Sequence, residues 1–491
     1  MKKVLYLALI VNLLLSSCSD SFLEQTSPNN ITTSEFWKSE KDVKQAMVAC
    51  YSDVSAQSWL WGELYMALFN YKGDDVDLIG GSIQYGYLST LNSFQATSDN
   101  SVASYVWKLR YRALRNVNNV ITNLPNVPSG QISDEKRAEF MSEAHFLRGL
   151  LHFDLLINFK QIIIRDQVVT LDNVFKALSS REDAWDFVIK EFKAASTHLP
   201  KAWDDKNVGR ATKGAAWGYL GKAYLFRKNY TEAIKAFEEV KKLGYDLTEN
   251  YEGMFNGTNE NSKESLFEVQ YTSSESGGMT YYASSATFMG ISEINGWNMI
   301  APSEFLISEY EKERTVENKL DKRLLATICY NDPDGESMLF GKTWKSYFED
   351  GVTPKRMFKK YIDGLSEIIS NKSGVNLPML RYADVLLMYA EALNESGGDA
   401  TEILKALNKV RGRAGLKDFE KTDQTSLRLE IRHQRFLEFP MESIRFQDLV
   451  RYGDVKQTLV DNQHPYASNY TDDQAYYDVP AVESAQNNLI D

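Results

Sequence analysis

Apolar residues recur every three or four positions through most of this 491-residue chain, which is the spacing of one face of an α-helix. Strict alternation of apolar and polar residues, the spacing of a half-buried strand, is scarce. Prolines and polar clusters separate the helical stretches. The pattern predicts an all-α fold, with helices at about 34–54, 100–124, 133–160, 181–198, 211–227, 231–243, 302–314, 378–396, 399–414 and 424–452.

One segment, GAAWGYLGKAYLFRKNYTEAIKAFEEVKKLGY at 214–245, follows the spacing of a tetratricopeptide helix pair. The matching residues are Trp217, Leu220, Gly221, Tyr224, Ala233 and Phe237. The small Gly221 and Ala233 predict a close contact between two antiparallel helices, with the aromatic rings packed around it. Lys228 stands at the usual turn glycine and Tyr245 at the usual closing proline.

A single helix pair cannot bury its own apolar face, so the pattern requires stacked partners. Segments 141–159 and 382–413 carry a similar Ala, Leu and Tyr pattern and are predicted to supply them. The sequence therefore predicts a tetratricopeptide-like helical scaffold.

Two regions, about 57–99 and 250–375, lack this periodicity and are rich in Gly, Ser, Asn and aromatic residues. Long irregular stretches inside a compact domain are usually functional. We expect these two regions to be loop-rich insertions that bind the ligand.

The first residues, MKKVLYLALIVNLLLSSC, combine two lysines, an apolar run and small residues before Cys18. The run is too short to span a bilayer, so it predicts a cleaved lipoprotein signal peptide at 1–17. Cys18 then carries the lipid, and an ordinary secretory signal is the alternative. Residues 18–33 are predicted to be a polar tether, followed by a single helical domain at 34–491.

The formal net charge of −12 falls to about −14 when Lys2 and Lys3 are removed with the signal. An acidic protein is a poor partner for nucleic acid, because phosphate binding needs Lys and Arg. A neutral ligand fits this charge better. The two remaining cysteines, Cys50 and Cys329, are expected to be buried thiols.

No catalytic, cofactor or metal motif stands out. His145 and His152 lack metal-ligand spacing, and Asp74, Asp75 and Asp77 lack the order of a calcium loop. The segment GESMLFGKT at 335–343 has five residues between its glycines, where a phosphate-binding loop needs four. Paired glycosidase carboxylates stay possible, because their spacing exists only in three dimensions.

The segment IRHQRFLEFPMESIRFQDLVR at 431–451 contains three acid–base pairs at i,i+3 spacing. This spacing is typical of ion pairs on a helix surface, so we expect a structural network rather than a catalytic group. The predicted pairs are Arg435 with Glu438, Glu442 with Arg445, and Asp448 with Arg451.

Several segments together resemble the SusD/RagB family of outer-membrane nutrient-binding lipoproteins. They are the cysteine motif, the tetratricopeptide pair, EAHFLRGLLHFDLLINF at 143–159, RYADVLLMYAEALNE at 381–395, NKVRGRAGL at 408–416, the 431–451 segment, and Val479-Pro480 with Glu483 and Asn487. In the 431–451 segment Gln434 replaces a glutamate of the family pattern and Ser443 a glycine. The correspondence covers nearly the whole chain.

The resemblance implies a protein without catalysis or cofactor that lies outside the outer membrane. Members bind oligosaccharide, or peptide in some cases, and act as the lid of a SusC-like TonB-dependent transporter. A peptide-binding lid and a helical surface glycosidase are the alternatives for this chain.

Sugar rings pack on exposed aromatic side chains, while polar groups bind their hydroxyls. Aromatic residues of the two irregular regions are therefore the predicted platform, and Trp297 in Asn-Gly-Trp-Asn is the first choice. The other aromatic candidates are Trp59, Trp61, Tyr85, Tyr87, Tyr281 and Tyr282. The polar candidates are Asn298, Asn92, Asp74 and Asp75. Trp107, Trp185 and Trp217 lie on helix-periodic stretches and are assigned to the core.

Overall fold

The computed structural model describes residues 36–55, 70–80, 85–273, 287, 289–332, 334–348, 355–370 and 372–490. These residues are mainly helical, which confirms the predicted all-α fold. The helices are α1 (Glu40–Ser55), α2 (Gly86–Asn92), α3 (Ser101–Asn123), α4 (Asp134–Asn158), α5 (Arg181–Ala195), α6 (Lys213–Phe226), α7 (Tyr230–Lys241), α8 (Glu304–Glu311), α9 (Lys322–Thr327), α10 (Trp344–Tyr347), α11 (Leu365–Ser370), α12 (Tyr382–Glu395), α13 (Ala400–Arg413), α14 (Gln424–Glu438), α15 (Arg445–Tyr452), α16 (Val455–Asp461) and α17 (Ala481–Gln486).

Eight short strands form four separate antiparallel pairs within the described ranges. The pairs are β1 (Val76–Leu78) with β3 (Ile300–Pro302), β2 (Ser265–Val269) with β8 (Leu377–Arg381), β4 (Ile328–Tyr330) with β7 (Arg356–Phe358), and β5 (Met338–Leu339) with β6 (Lys342–Thr343). The predicted irregular regions contain most of these strands, so they are held by backbone hydrogen bonds at a few fixed points.

Helices α4 with α5, α6 with α7, and α12 with α13 pack as neighbouring pairs, and α7 also packs on α12. In the α6–α7 pair, a Cβ atom added to Gly221 would lie 2.4 Å from Cε1 of Phe237. Ala233 is completely buried beside them. The close helix contact predicted from the tetratricopeptide spacing is confirmed.

Side-chain caps explain where these helices begin. At all of these starts except that of α12, a polar side chain accepts a hydrogen bond from a backbone N–H of the first turn, which has no partner within the helix. The capping residues include Asn100 for α3, Ser133 for α4, Ser180 for α5, Thr212 for α6 and Asn229 for α7.

Two predicted helices are wrong in part. The stretch predicted as one helix at 424–452 is two, α14 and α15, because Pro440 lacks the N–H that a helix interior needs. Met441 and Ser443 then adopt left-handed backbone angles, with φ of 64° and 62°. The stretch predicted at 378–396 begins as strand β8, since residues 377–381 pair with β2 before α12 starts.

The charged side chains of 431–451 are mostly buried, and most of them pair with residues other than those predicted from spacing. The Glu438 side chain is fully buried and contacts Arg381 and Arg413, and Arg323 approaches it at 3.5 Å. Arg435 pairs with Asp384 and Asp448, at 2.8 and 2.7 Å. The i,i+3 pair of Asp448 with Arg451 is confirmed, whereas the other two predicted pairs are wrong. The network is structural, as expected, but it joins distant segments instead of one helix surface.

One hydrophobic cluster extends from Val43 in α1 to Ile490 near the C-terminus. Cys50 and Cys329 lie in it as buried free thiols, which confirms that prediction. Trp107 and Trp185 are core residues as predicted, and Trp217 is half-buried against the same cluster. Among the described residues, no helix is long and apolar enough to cross a membrane.

Candidate functional site

The two irregular regions of the chain meet at the β1–β3 pair. Leu78 pairs with Ile300, and the N–H of Ile79 donates to the carbonyl of Met299 at 3.1 Å. Beyond this point, a Cβ atom added to Gly80 would lie 2.5 Å from Nδ2 of Asn298. Gly80 also has a φ of +39°, so glycine is required on both grounds. The first region is thus held directly against the turn that carries Trp297.

Backbone hydrogen bonds fix that turn. The N–H of Trp297 donates to the carbonyl of Thr287 at 2.7 Å, and the N–H of Asn298 donates to the carbonyl of Gly290 at 2.9 Å. Asn295 and Asn298 have left-handed φ angles of 64° and 53°, which asparagine tolerates better than most residues. Trp297 is 38% exposed. A fixed backbone therefore presents a half-exposed aromatic ring.

Tyr85 and Tyr87 form an exposed pair of aromatic rings at the start of α2. They are 48% and 42% exposed, and their ring centroids lie 5.6 Å apart. The side-chain amide of Asn100 donates to the carbonyl of Tyr87 at 2.8 Å, which fixes the backbone beneath the rings. Four residues lie between Gly80 and Tyr85, so these two positions are at most about 18 Å apart. We refer to Tyr85, Tyr87, Trp297 and Asn298 as the aromatic surface.

Asn298 contributes an unusual polar group to this surface. Its Oδ1 atom is buried and makes no hydrogen bond to any described residue. Leaving such an acceptor unpaired costs about 1–3 kcal/mol.

Several predicted site residues lie outside the described residues. They are Cys18, Trp59, Trp61, Tyr281 and Tyr282. Their proposed roles rest on the sequence alone.

Asp74, Asp75 and Asn92 were predicted as polar ligand contacts, but all three side chains are buried, although Asp74 also lines a cleft described below. Asp74 accepts from Arg445 at 2.6 Å and from Asn462 at 2.6 Å. Burial favours the neutral acid, but the charge of Arg445 and the hydrogen bonds from Arg445 and Asn462 together outweigh it and lower the pKa of Asp74. The amide of Asn92 donates to a backbone carbonyl at 2.8 Å. These groups stabilise the fold around β1.

Asp75 differs from its neighbour, because neither of its carboxylate oxygens has a hydrogen-bond partner among the described residues. Burial, and then the charge of Asp74, raise the pKa of Asp75 to about 7. The side chain is 1% exposed, so a bound ligand does not reach it without a rearrangement.

The predictions for metal ligands and histidines can be compared with the described ranges. Within them no three His, Cys, Asp or Glu side chains are grouped so as to hold a metal ion. His152 is completely buried, and burial lowers its pKa to about 4. His145 contacts Glu191 at 2.8 Å, beside Arg148. Both histidines are therefore structural.

Two clefts were not predicted from the sequence. One, of about 440 Å³, has mainly apolar walls and lies between α1, α4 and β2. The other, of about 460 Å³, is lined by polar and apolar surface in similar amounts and lies between β1, the start of α8 and the segment 461–465. The second joins segments almost 400 residues apart, so no local sequence signal reveals it. Only the polar run Asp461-Asn462-Gln463-His464, which follows a short helix, hints at an exposed turn.

Two family models match the sequence of this chain. Residues 263–488 match the family model described as "SusD family", and residues 21–225 match the model described as "Starch-binding associating with outer membrane". Together the two matches cover most of the chain.

Individual proteins extend the match to nearly the full length. A "SusD-like protein" of Bacteroides ovatus is 27% identical over 92% of this chain and 83% of its own length. The crystal structure of a SusD superfamily protein from Bacteroides vulgatus is 26% identical and superposes with a TM-score of 0.82, over 93% of this chain and 99% of that one. Surface glycan-binding protein A from Bacteroides thetaiotaomicron, solved with laminarihexaose, is 21% identical with a TM-score of 0.75, over 91% and 98% of the two chains.

Proposed function

The chain belongs to the SusD/RagB family, and from this premise we propose that it binds an oligosaccharide at the cell surface and passes it to a SusC-like TonB-dependent transporter. In this proposal the protein is the lid of the transporter and performs no catalysis. It is held to the outer membrane, facing the cell exterior, by a lipid on Cys18.

The aromatic surface is the observation that carries the binding role. Aromatic rings offer apolar area to the C–H faces of a sugar, and Nδ2 of Asn298, whose Oδ1 is buried, can donate to a hydroxyl. Trp297 and Tyr87 come from the two irregular regions, which the β1–β3 pair joins. Fixed backbone on both sides means that little conformational entropy is lost when a sugar binds.

A lid must also release its ligand, so we expect modest affinity. A dissociation constant between about 10 μM and 1 mM corresponds to roughly −7 to −4 kcal/mol. Sugar hydroxyls lose hydrogen bonds to water when they bind, which offsets much of what they gain. A glycan of this affinity is held long enough to be captured and is still released to a transporter.

Calorimetry of the purified protein with oligosaccharides tests the proposal. Laminarihexaose is the first probe, because a relative of the same fold was solved with it, and maltohexaose and cellohexaose follow. Saturable binding without new reducing ends is the expected result. New reducing ends after incubation with the pure protein would instead indicate a glycosidase.

The peptide-binding alternative is tested in the same way, with mixed peptides in place of glycans. The transporter role has a separate readout, since the protein and a SusC-like barrel should copurify from detergent-solubilised outer membranes. If the protein binds glycan but does not copurify with such a barrel, it is a surface glycan-binding protein without a lid function.

A further inference from the structure

The cleft of about 460 Å³ lies close to the aromatic surface along the chain but is formed by other side chains. One wall is β1 with Asp77, and a second is the start of α8, with Glu304, Phe305 and Ser308. The third wall is the 461–465 segment. This size is within the usual range of small-molecule sites.

The same two strands carry both the cleft and the aromatic surface. The N–H of Ser303 donates to the carbonyl of Asp75 at 3.0 Å at the cleft end, and Gly80 meets Asn298 at the other end. Five residues lie between Asp74 and Gly80, so these two positions are at most about 20 Å apart. An oligosaccharide long enough to cross this distance can contact both ends.

The side chains of the cleft match a polyhydroxylated ligand. Asn462 is fixed by its hydrogen bond to Asp74 at 2.6 Å, and Gln463 beside it is exposed. Amides both donate and accept, and Ser308 adds a hydroxyl. The ring of Phe305 supplies an apolar face between these polar groups. Amides, a hydroxyl and one aromatic ring are the groups that sugars bind.

Charge narrows the ligand class. Asp77, Glu304 and Asp461 line the cleft, and Arg356 contacts the first two at 2.8 and 2.5 Å. Three carboxylates against one guanidinium leave two negative charges, since Asp74 is already paired with Arg445. Carboxylates accept hydrogen bonds from hydroxyls and repel other anions. The cleft therefore disfavours uronate and sulfated sugars.

We propose that this cleft is a second contact region of the glycan site and holds a neutral sugar residue of the oligosaccharide that the aromatic surface binds. The inference rests on the proposed glycan-binding function and adds to it a second contact and a ligand class. It makes affinity depend on oligosaccharide length, and it excludes anionic glycans.

The test places a bulky side chain on one wall of the cleft, so that the cleft is filled. Ser308→Trp places a large ring there, and Thr231→Trp, at an exposed position on α7, is the matched control because α7 contributes no residue to the cleft. Calorimetry uses laminarihexaose, maltohexaose, cellohexaose and hexagalacturonate, together with the trisaccharide of each neutral hexamer. Gln463→Ala, a milder change at an exposed side chain, is measured in parallel in case Ser308→Trp does not fold.

The expected result is that at least one neutral hexamer binds and hexagalacturonate does not. For that hexamer Ser308→Trp lowers affinity about tenfold or more and Gln463→Ala about threefold, whereas Thr231→Trp has no effect. The matching trisaccharide, held by the aromatic surface alone, binds all variants equally.

Two results would overturn the inference while the proposed function stands. One is a neutral hexamer that binds the wild type and both cleft variants with the same affinity. The other is a preference for hexagalacturonate. If none of the hexamers binds the wild type, the proposed function itself fails for these glycans, and the inference fails with it.

Discussion

Gly221 of α6 lies against the ring of Phe237 of α7, so closely that an added Cβ atom would be 2.4 Å from Cε1 of the ring. Phe237 is completely buried and has no room to move away. We expect Gly221→Leu to lower the free energy of unfolding by about 2 kcal/mol or more, because overpacking forces strained rotamers and backbone shifts. Urea denaturation followed by circular dichroism measures this.

Gly412 in α13 is the control for that substitution. It is also a helical glycine, but a Cβ atom added there would meet nothing within 4 Å. Gly412→Ala should raise stability by about 0.5–1 kcal/mol, because alanine restricts the unfolded chain and favours the helix. If both glycine substitutions had the same effect, the α6–α7 contact would be looser than the structure indicates.

Lys228, between α6 and α7, has a left-handed φ of 57° and an exposed side chain. A non-glycine residue pays about 1 kcal/mol for this backbone conformation. Lys228→Gly should therefore stabilise the protein by about 0.5–1 kcal/mol in the same denaturation assay. Lys235→Gly, at an exposed position inside α7, should destabilise by about 1 kcal/mol. A destabilising Lys228→Gly would mean that the lysine makes a contact that outweighs this strain.

The helical scaffold was predictable because its signals are local. Helix periodicity, capping residues and the spacing between Gly221 and Phe237 all act within a few turns of the chain. The sequence also showed that Lys228 replaces the usual turn glycine of the tetratricopeptide pattern. In the structure Lys228 adopts the left-handed φ angle that a glycine normally takes there.

Contacts between distant segments were not predictable in this way. The i,i+3 spacing predicted that Arg435 binds Glu438, but Arg435 binds Asp384 and Asp448, at 51 and 13 residues along the chain. Asp74 and Asp75 have the sequence pattern of exposed loop carboxylates, yet Arg445 from the C-terminal part of the chain forms an ion pair with Asp74. Sequence spacing carries no information on which distant segment covers a polar group.

Asp75 should make the protein less stable as pH rises. Its pKa is raised to about 7 in the folded state, so the folded state binds the proton more tightly than the unfolded state does. Its contribution is fully present below about pH 4 and is lost as pH rises through 7. Asp75→Asn should therefore be more stable than the wild type at pH 8, by on the order of 3 kcal/mol, and nearly equal at pH 4.

Asp74→Asn is the control for this pH dependence, because the neighbouring group has the opposite shift. Its pKa is lowered, so its contribution is present at neutral pH and is lost as pH falls through the folded-state value. At pH 8 this variant should lose about 3 kcal/mol, since Arg445 is left without its partner. Guanidinium unfolding at several pH values measures both variants, and equal curves for them would refute the difference.

Cys18→Ala tests the membrane anchor. We expect the variant to leave the membrane fraction and to lose labelling by a radioactive or alkyne-tagged fatty acid, because the Cys18 thiol is the proposed site of lipid attachment. Cell fractionation with an unaltered lipoprotein as marker measures the distribution. Full retention of Cys18→Ala in the outer membrane would show that another interaction anchors the protein.

Trp297→Ala tests the aromatic surface most directly. The ring is exposed on one side and its backbone is fixed by hydrogen bonds to the carbonyls of Thr287 and Gly290. Removing it should weaken glycan binding by about 1–3 kcal/mol, the scale of a lost aromatic contact, while the free energy of unfolding changes by less than about 0.5–1 kcal/mol.

Trp107→Ala is the opposite case, since that ring is 2% exposed and its indole N–H donates to Glu483 at 3.2 Å. It should cost about 3–5 kcal/mol of stability. Calorimetry and denaturation of both variants separate the two effects. If Trp297→Ala lost stability as Trp107→Ala does and kept its glycan affinity, Trp297 would be a core residue. The binding platform would then have to be sought at Tyr85 and Tyr87.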